Sequence, residues 1–122
     1  MRSIHVSRII HADPAQVYSF ASDPENLHLW AAGFTDLGEV RVRFTATNDL
    51  GVLDHDVTLP DGRTVNNPVR VLVHPEGSEI VFTVRQLDMD DEQFAADAAA
   101  VGRDLDTLKQ LLELRGDGPH RS

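Results

Sequence analysis

The sequence has no cysteine, which excludes disulfides, thiol nucleophiles and thiolate metal sites together. It is almost without lysine. Lys109 is the single one, and Lys and Arg together number 11 against 20 Asp and Glu. The net charge of −9 argues against nucleic acid, whose phosphates need clustered cations, and against an anionic membrane surface. We read the acidity simply as a source of solubility. No run reaches the about 18 apolar residues that a membrane span needs. No internal repeat or low-complexity segment occurs, and neither does a Ser-His-Asp constellation, a phosphate loop or a dinucleotide fingerprint. The N-terminus passes directly into alternating polar and apolar residues without the apolar region of a signal peptide, so the expected location is cytoplasmic.

What remains is an ordinary globular composition, 41% hydrophobic and 25% charged over 122 residues, which is enough for one domain with a proper core. Its longest periodic stretch is Asp90 to Arg115. There Phe94, Ala98, Val101, Leu105, Leu108 and Leu112 recur in steps of four and three, one continuous stripe on an α-helix. Asp90 followed by Gln93 marks the start as a capping box, and Gly116 marks the stop. The domain is expected to span residues 1–116, with a flexible tail at 117–122. Ala95, Ala98, Ala99 and Gly102 make the front half of this helix small-sided. Close packing on a sheet and room for a ligand both fit that composition.

Ahead of the helix, Ser3 to His11 alternates as a half-buried strand, with Ile4, Val6 and Ile10 on one side. Asp13-Pro14 and Ser22-Asp23-Pro24 each open a short helix, with Asp13 as cap and Gln16 in the reciprocal position of the first. The second carries Leu27, Leu29 and Trp30, and Ala32-Gly33 closes the insertion. After Gly38 the period becomes two. Four strands follow, carrying Val40 to Ala46, Leu53 to Leu59, Val65 to Val73 and Ile80 to Val84. Turns at Asn48–Gly51, Pro60–Gly62 and Pro75–Ser78 separate them. Pro68 predicts an edge or a bulge in the third strand.

The apolar pattern sets the register, because a slip of one residue reverses every side chain. A four-residue first loop places Phe44 opposite His55 and Val42 opposite Val57. A three-residue second loop places His55 opposite Asn67, Val57 opposite Val65 and Leu53 opposite Val69. A four-residue third loop places Val71 opposite Phe82 and Asn67 opposite Gln86. The inner face then carries one polar row, Phe44-His55-Asn67-Gln86, between apolar rows. Buried polar groups must either satisfy one another or face a ligand or water. A bulge at Pro68 would exchange Asn67 for Asn66 in this row. Asp54-His55-Asp56 is not a metal site, because on a strand the two carboxylates point away from the imidazole. The outward arginines Arg41, Arg43, Arg70 and Arg85 read as solvated sheet surface, and His28 as a surface residue beside a core Trp30.

The opening, Ile4-His5-Val6-Ser7-Arg8-Ile9-Ile10-His11-Ala12-Asp13-Pro14-Ala15-Gln16-Val17-Tyr18, is followed by Ser22-Asp23-Pro24-Glu25-Asn26-Leu27 and Trp30. With the terminal helix from Phe94 to Leu114, it resembles the START-like, or SRPBCC, helix-grip superfamily. That superfamily includes the polyketide cyclase/dehydrase-like group and the birch-pollen-allergen-like fold. The resemblance covers residues 3–115. It implies an α+β helix-grip fold, a curved antiparallel sheet wrapped around a long C-terminal helix with two short helices after the first strand. It also implies a cavity between sheet and helix for apolar or amphipathic molecules such as lipids, polyketides or sterol-like compounds. The superfamily shares no universal catalytic motif, so no catalytic residue is carried over.

The expected ligand-binding set is therefore Phe44, His55, Asn67, Gln86, Trp30, Phe82, Ala98 and Gly102, with neither metal nor cofactor. Three functions fit. One is a binding domain in which His55, Asn67 and Gln86 orient the polar end of a lipid- or polyketide-like ligand. Another is a cyclase or dehydratase with His55 as general acid/base. The last is a protein-interaction module with a filled core. A cavity of about 300 Å³ or more separates the first two from the third. The oligomeric state is not legible.

Overall fold

The computed structural model describes residues 2–31 and 40–116. Ala32-Gly33, Gly38 and the tail at 117–122 lie outside them. The order is β1 (Ser3–Ile10), α1 (Pro14–Ala21), a 3₁₀ turn (Pro24–Asn26), α2 (Leu27–Trp30), β2 (Arg41–Phe44), β3 (His55–Thr58), β4 (Thr64–Asn67), β5 (Val69–His74), β6 (Gly77–Arg85) and α3 (Asp91–Gly116). This is the α+β arrangement expected from the sequence: antiparallel strands, two short helices after β1, and a long C-terminal helix packed on the sheet.

Local chemistry accounts for the helix starts, with two departures from expectation. Asp23 caps the 3₁₀ turn by accepting the Glu25 N–H at 3.0 Å. Asp13 makes no such bond, and α1 relies on Pro14 at its first position, whose missing N–H needs no partner. Asp90 accepts the Gln93 N–H at 2.8 Å, but the Gln93 side chain turns to Asp97 at 2.9 Å instead of back to the cap. Half of the capping box therefore forms.

Strands β1, β6 and β5 make one antiparallel sheet, and β2, β3 and β4 another. The two join where residues 51–53 run beside the start of β5. Leu53 N–H donates to Val69 O and Val71 N–H donates to Gly51 O, both at 2.8 Å, and Val52 bridges Arg70. Gly51 is required here. Its φ is +72°, and an added Cβ would lie 2.2 Å from Val71 O.

The first two hairpins have the expected registers: Phe44 opposite His55 and Val42 opposite Val57, then His55 opposite Asn67 and Val57 opposite Val65. The register continues unchanged past Pro68, since Leu53 still meets Val69. No residue is inserted, and Asn67 keeps the inner position while Asn66 is exposed and bonds Asp56. Pro68 instead divides one predicted strand into two. β5 pairs with β6, whereas among the described residues β4 pairs with β3 alone. Val69, just after the proline, gives its N–H to Asp54 Oδ1 at 2.8 Å, and Arg70 caps the same carboxylate.

The third hairpin corrects the expectation by two residues. Its turn is Pro75-Glu76 alone, with His74 paired to Gly77, so Val71 meets Ile80 and Val69 meets Phe82. Gly77 and Ser78 are drawn into the ladder by close contact with the end of β1. A Cβ on Gly77 would lie 2.7 Å from Ile10 O, and the buried Ser78 hydroxyl donates to Ala12 O at 2.7 Å. A shift of two preserves the faces, so Ile80, Phe82 and Val84 still point into the core.

The core is filled by Ile10, Val17, Phe20, Ile80 and Phe94 with the α3 stripe of Leu105, Leu108 and Leu112, all buried. The C-terminal half of α3 is clamped to β1. Arg8 reaches Asp106 at 2.6 Å and Gly102 O at 3.4 Å. Lys109 donates to Ile9 O at 2.7 Å, and Glu113 accepts the His11 N–H at 2.9 Å. Gly102 faces β1, where an added Cβ would stand 2.8 Å from Arg8 Nη2 and 3.8 Å from Val6 Cγ1. No helix among the described residues is long and apolar enough to cross a membrane.

Candidate functional site

Among the described residues β4 is not hydrogen-bonded to β6. A cavity of about 580 Å³ lies beside both strands. The strands supply Val57, Val65, Asn67, Phe82 and Val84; α3 supplies Ala100, Val101 and Leu105; Trp30 and Ala31 close it at the end of α2. Leu87 and Met89 join the wall on either side of Asp88, whose φ of +51° turns the chain from β6 into α3. The volume falls within the range of about 300–1,000 Å³ typical of small-molecule sites. The walls are mainly apolar, and among them sit the charged groups Arg63, Arg85, Asp88, Asp97 and Asp104 and the amides Asn66, Asn67 and Gln93. Arg85, expected as plain outer surface, reaches the rim from the end of β6.

Of the polar row, three members come together. His55 is 3% exposed, with the Phe44 ring 5.1 Å and the Phe82 ring 5.9 Å from its own, centroid to centroid. Its Nδ1–H donates to Leu53 O at 3.2 Å, and its Nε2 accepts from the Asn67 amide at 3.4 Å. The carbonyl can only accept, so the proton sits on Nδ1 and Asn67 must present its NH₂ group to the ring. Asn67 Oδ1 is then directed elsewhere, and Asn67 is a wall of the cavity. Burial lowers the His55 pKa below the ordinary 6.5, against the bond to Leu53 and the charges of Asp54 and Asp56, which raise it. The ring is therefore a neutral imidazole with both nitrogens occupied, standing behind Asn67 and outside the cavity lining.

Gln86 does not join the row. The two-residue shift in the last hairpin takes it past the sheet, and its amide donates to Met89 O and Asp91 Oδ1, each at 3.0 Å. It braces the turn into α3. Phe44 lies tilted against the His55 ring and is absent from the cavity lining, as is Ala98. Gly102 faces β1. Trp30, Asn67 and Phe82 are the expected residues that line the cavity. Ala100, Val101 and Leu105 were not among them, although Val101 and Leu105 belong to the stripe. His28 is exposed. Among the described residues, no three His, Asp or Glu side chains are grouped to hold a metal ion.

Comparison with known proteins adds to this at the level of fold. No family model matches the chain, and no curated protein matches it. Solved structures do. Protein MLL2253 of Mesorhizobium loti superposes with a TM-score of 0.67 at 14% identity, over 92% of this chain and 97% of that one. The AHSA1-like protein of Aeromonas hydrophila gives 0.58 at 17% identity over 99% of both chains. An uncharacterised protein of Rhizobium leguminosarum gives 0.60 at 20% identity, over 92% of this chain and 94% of its own. At these identities the likeness is one of fold. The helix-grip fold expected from the opening motif and the long helix is the fold present.

Proposed function

We propose that this chain binds an apolar or amphipathic small molecule in the cavity between the β3–β4 hairpin, β6 and α3. The observation that carries the reading is the cavity itself, about 580 Å³ walled by Val, Leu, Phe and Trp side chains. Apolar side chains lining a water-accessible space gain free energy when an apolar occupant displaces that water. Asn67 supplies a polar contact point, because it lines the cavity and its NH₂ group is held by His55. In this reading His55 is a positioning residue, and a lipid- or polyketide-like molecule with a polar group near one end suits the site.

A cyclase or dehydratase using His55 as acid/base is less well supported, because the ring has both nitrogens engaged and does not line the cavity. An interaction module with a filled core is disfavoured by the cavity volume. The test is equilibrium titration with the neutral fluorophore 1-aminoanthracene. Saturable one-to-one binding is expected, abolished by Ala100→Phe, which builds a ring into the cavity from α3. Binding that is absent, or indifferent to Ala100→Phe, would place the ligand elsewhere or nowhere.

A further inference from the structure

Trp30 is the single tryptophan of the chain. It is 5% exposed and forms part of the cavity wall. Its indole Nε1–H is the one buried side-chain donor among the described residues without a hydrogen-bond partner. Buried indole N–H groups usually find an acceptor, and one left without is an exception that requires a reason. The charges of the lining narrow what that acceptor can be. Asp88 and Asp97 contribute carboxylates to it, against the guanidiniums of Arg63 and Arg85. Arg63 is already held by Asp61 at 2.7 Å. A carboxylate ligand would enter a rim with more negative than positive charge, on a chain of net charge −9. A cationic head group has no lone pair to offer an N–H donor, so the acceptor itself is a neutral group.

We propose that the occupant is a neutral molecule with an apolar body and a carbonyl-type acceptor, as in a long-chain ketone, aldehyde or ester, and that this acceptor takes the Trp30 Nε1–H. The proposal rests on the binding reading above and specifies the chemical class of its ligand.

The probes are 2-nonanone, nonane and nonanoate, which share a nine-carbon chain and differ in the head. Binding is measured by calorimetry. The single indole cross-peak in a ¹H–¹⁵N correlation spectrum reports the hydrogen bond directly. The ketone should bind about threefold to tenfold more tightly than nonane, the worth of one neutral hydrogen bond. It should also move the indole proton downfield where nonane does not, and nonanoate should bind more weakly than the ketone. Trp30→Phe should retain nonane binding and lose the preference for the ketone; the cross-peak of the unaltered protein gives the answer independently of that variant's folding. Equal binding of ketone and nonane with an unmoved indole peak would overturn the acceptor while leaving the cavity reading standing. Tightest binding by nonanoate would overturn neutrality. No binding of any of the three would overturn both the proposal and the reading beneath it.

Discussion

Mild acid should destabilise this protein through His55, and the His55→Phe variant should reveal by how much. In the unfolded chain the imidazole titrates near its ordinary value of about 6.5. In the folded protein, burial between Phe44 and Phe82 holds it lower. Between those two values the unfolded chain binds a proton that the folded one does not. Stability is therefore full above about pH 6.5 and falls as pH decreases towards the folded value, at up to about 1.4 kcal/mol per unit. Phenylalanine keeps a ring of similar size and removes the titration. At pH 8 the variant should be less stable by about 1–3 kcal/mol, because Leu53 O loses the imidazole N–H. As the pH falls from 6.5 to 5.5 the wild type should lose up to about 1.4 kcal/mol that the variant keeps, so the gap narrows. Urea unfolding followed by far-UV circular dichroism from pH 8 to pH 5 measures it. The five other histidines cancel in the difference. A gap independent of pH would mean that His55 titrates alike in both states. A gap that widens towards acid would mean that Asp54 and Asp56 stabilise the imidazolium more than burial opposes it. Either result would refute the account of a neutral, buried positioning ring.

Two further substitutions test the joint between the half-sheets. Gly51→Ala forces a side chain into a left-handed backbone conformation and drives its Cβ to 2.2 Å from Val71 O. Thermal unfolding should show a loss of about 2–5 kcal/mol, and a loss under 1 would contradict the close approach. Asp54→Ala removes the acceptor of the Val69 N–H and the partner of Arg70. It should cost about 1–3 kcal/mol, and the Val69 amide should lose protection from hydrogen exchange; unchanged protection there would show that Pro68 does not need this carboxylate.

Much of this architecture is written in periodicity. Side-chain alternation alone determines which face of each strand is buried, and loop lengths at Asn48–Gly51 and Pro60–Gly62 then bring Phe44, His55 and Asn67 into one row. The third hairpin escaped this reasoning because Pro75-Glu76-Gly77-Ser78 has the composition of a four-residue loop. Its length is decided by contacts of Gly77 and Ser78 with Ile10 and Ala12, far away in sequence. Gln86 left the row for that reason. Arg8 is a similar case. It falls on the inner face of β1, where its pattern neighbours are Val6 and Ile10, and only the presence of Gly102 and Asp106 on α3 explains a cation there. The small residues of α3 answer two purposes, since Gly102 permits close approach to β1 while Ala100 leaves space beside Asn67. Periodicity could not divide them. Pro68 was a visible signal with an unforeseen consequence: it inserts nothing into the ladder but divides one predicted strand into two, and among the described residues β5 alone of the pair is bonded to β6.

The central claim is that this cavity holds a small apolar molecule. Native mass spectrometry tests it most directly, using the protein as purified and again after incubation with an organic-soluble cell extract. The account predicts a discrete adduct at one molecule per chain, lost on denaturation and absent from Ala100→Phe. A bare chain mass under both conditions, or an adduct retained undiminished by Ala100→Phe, would contradict it.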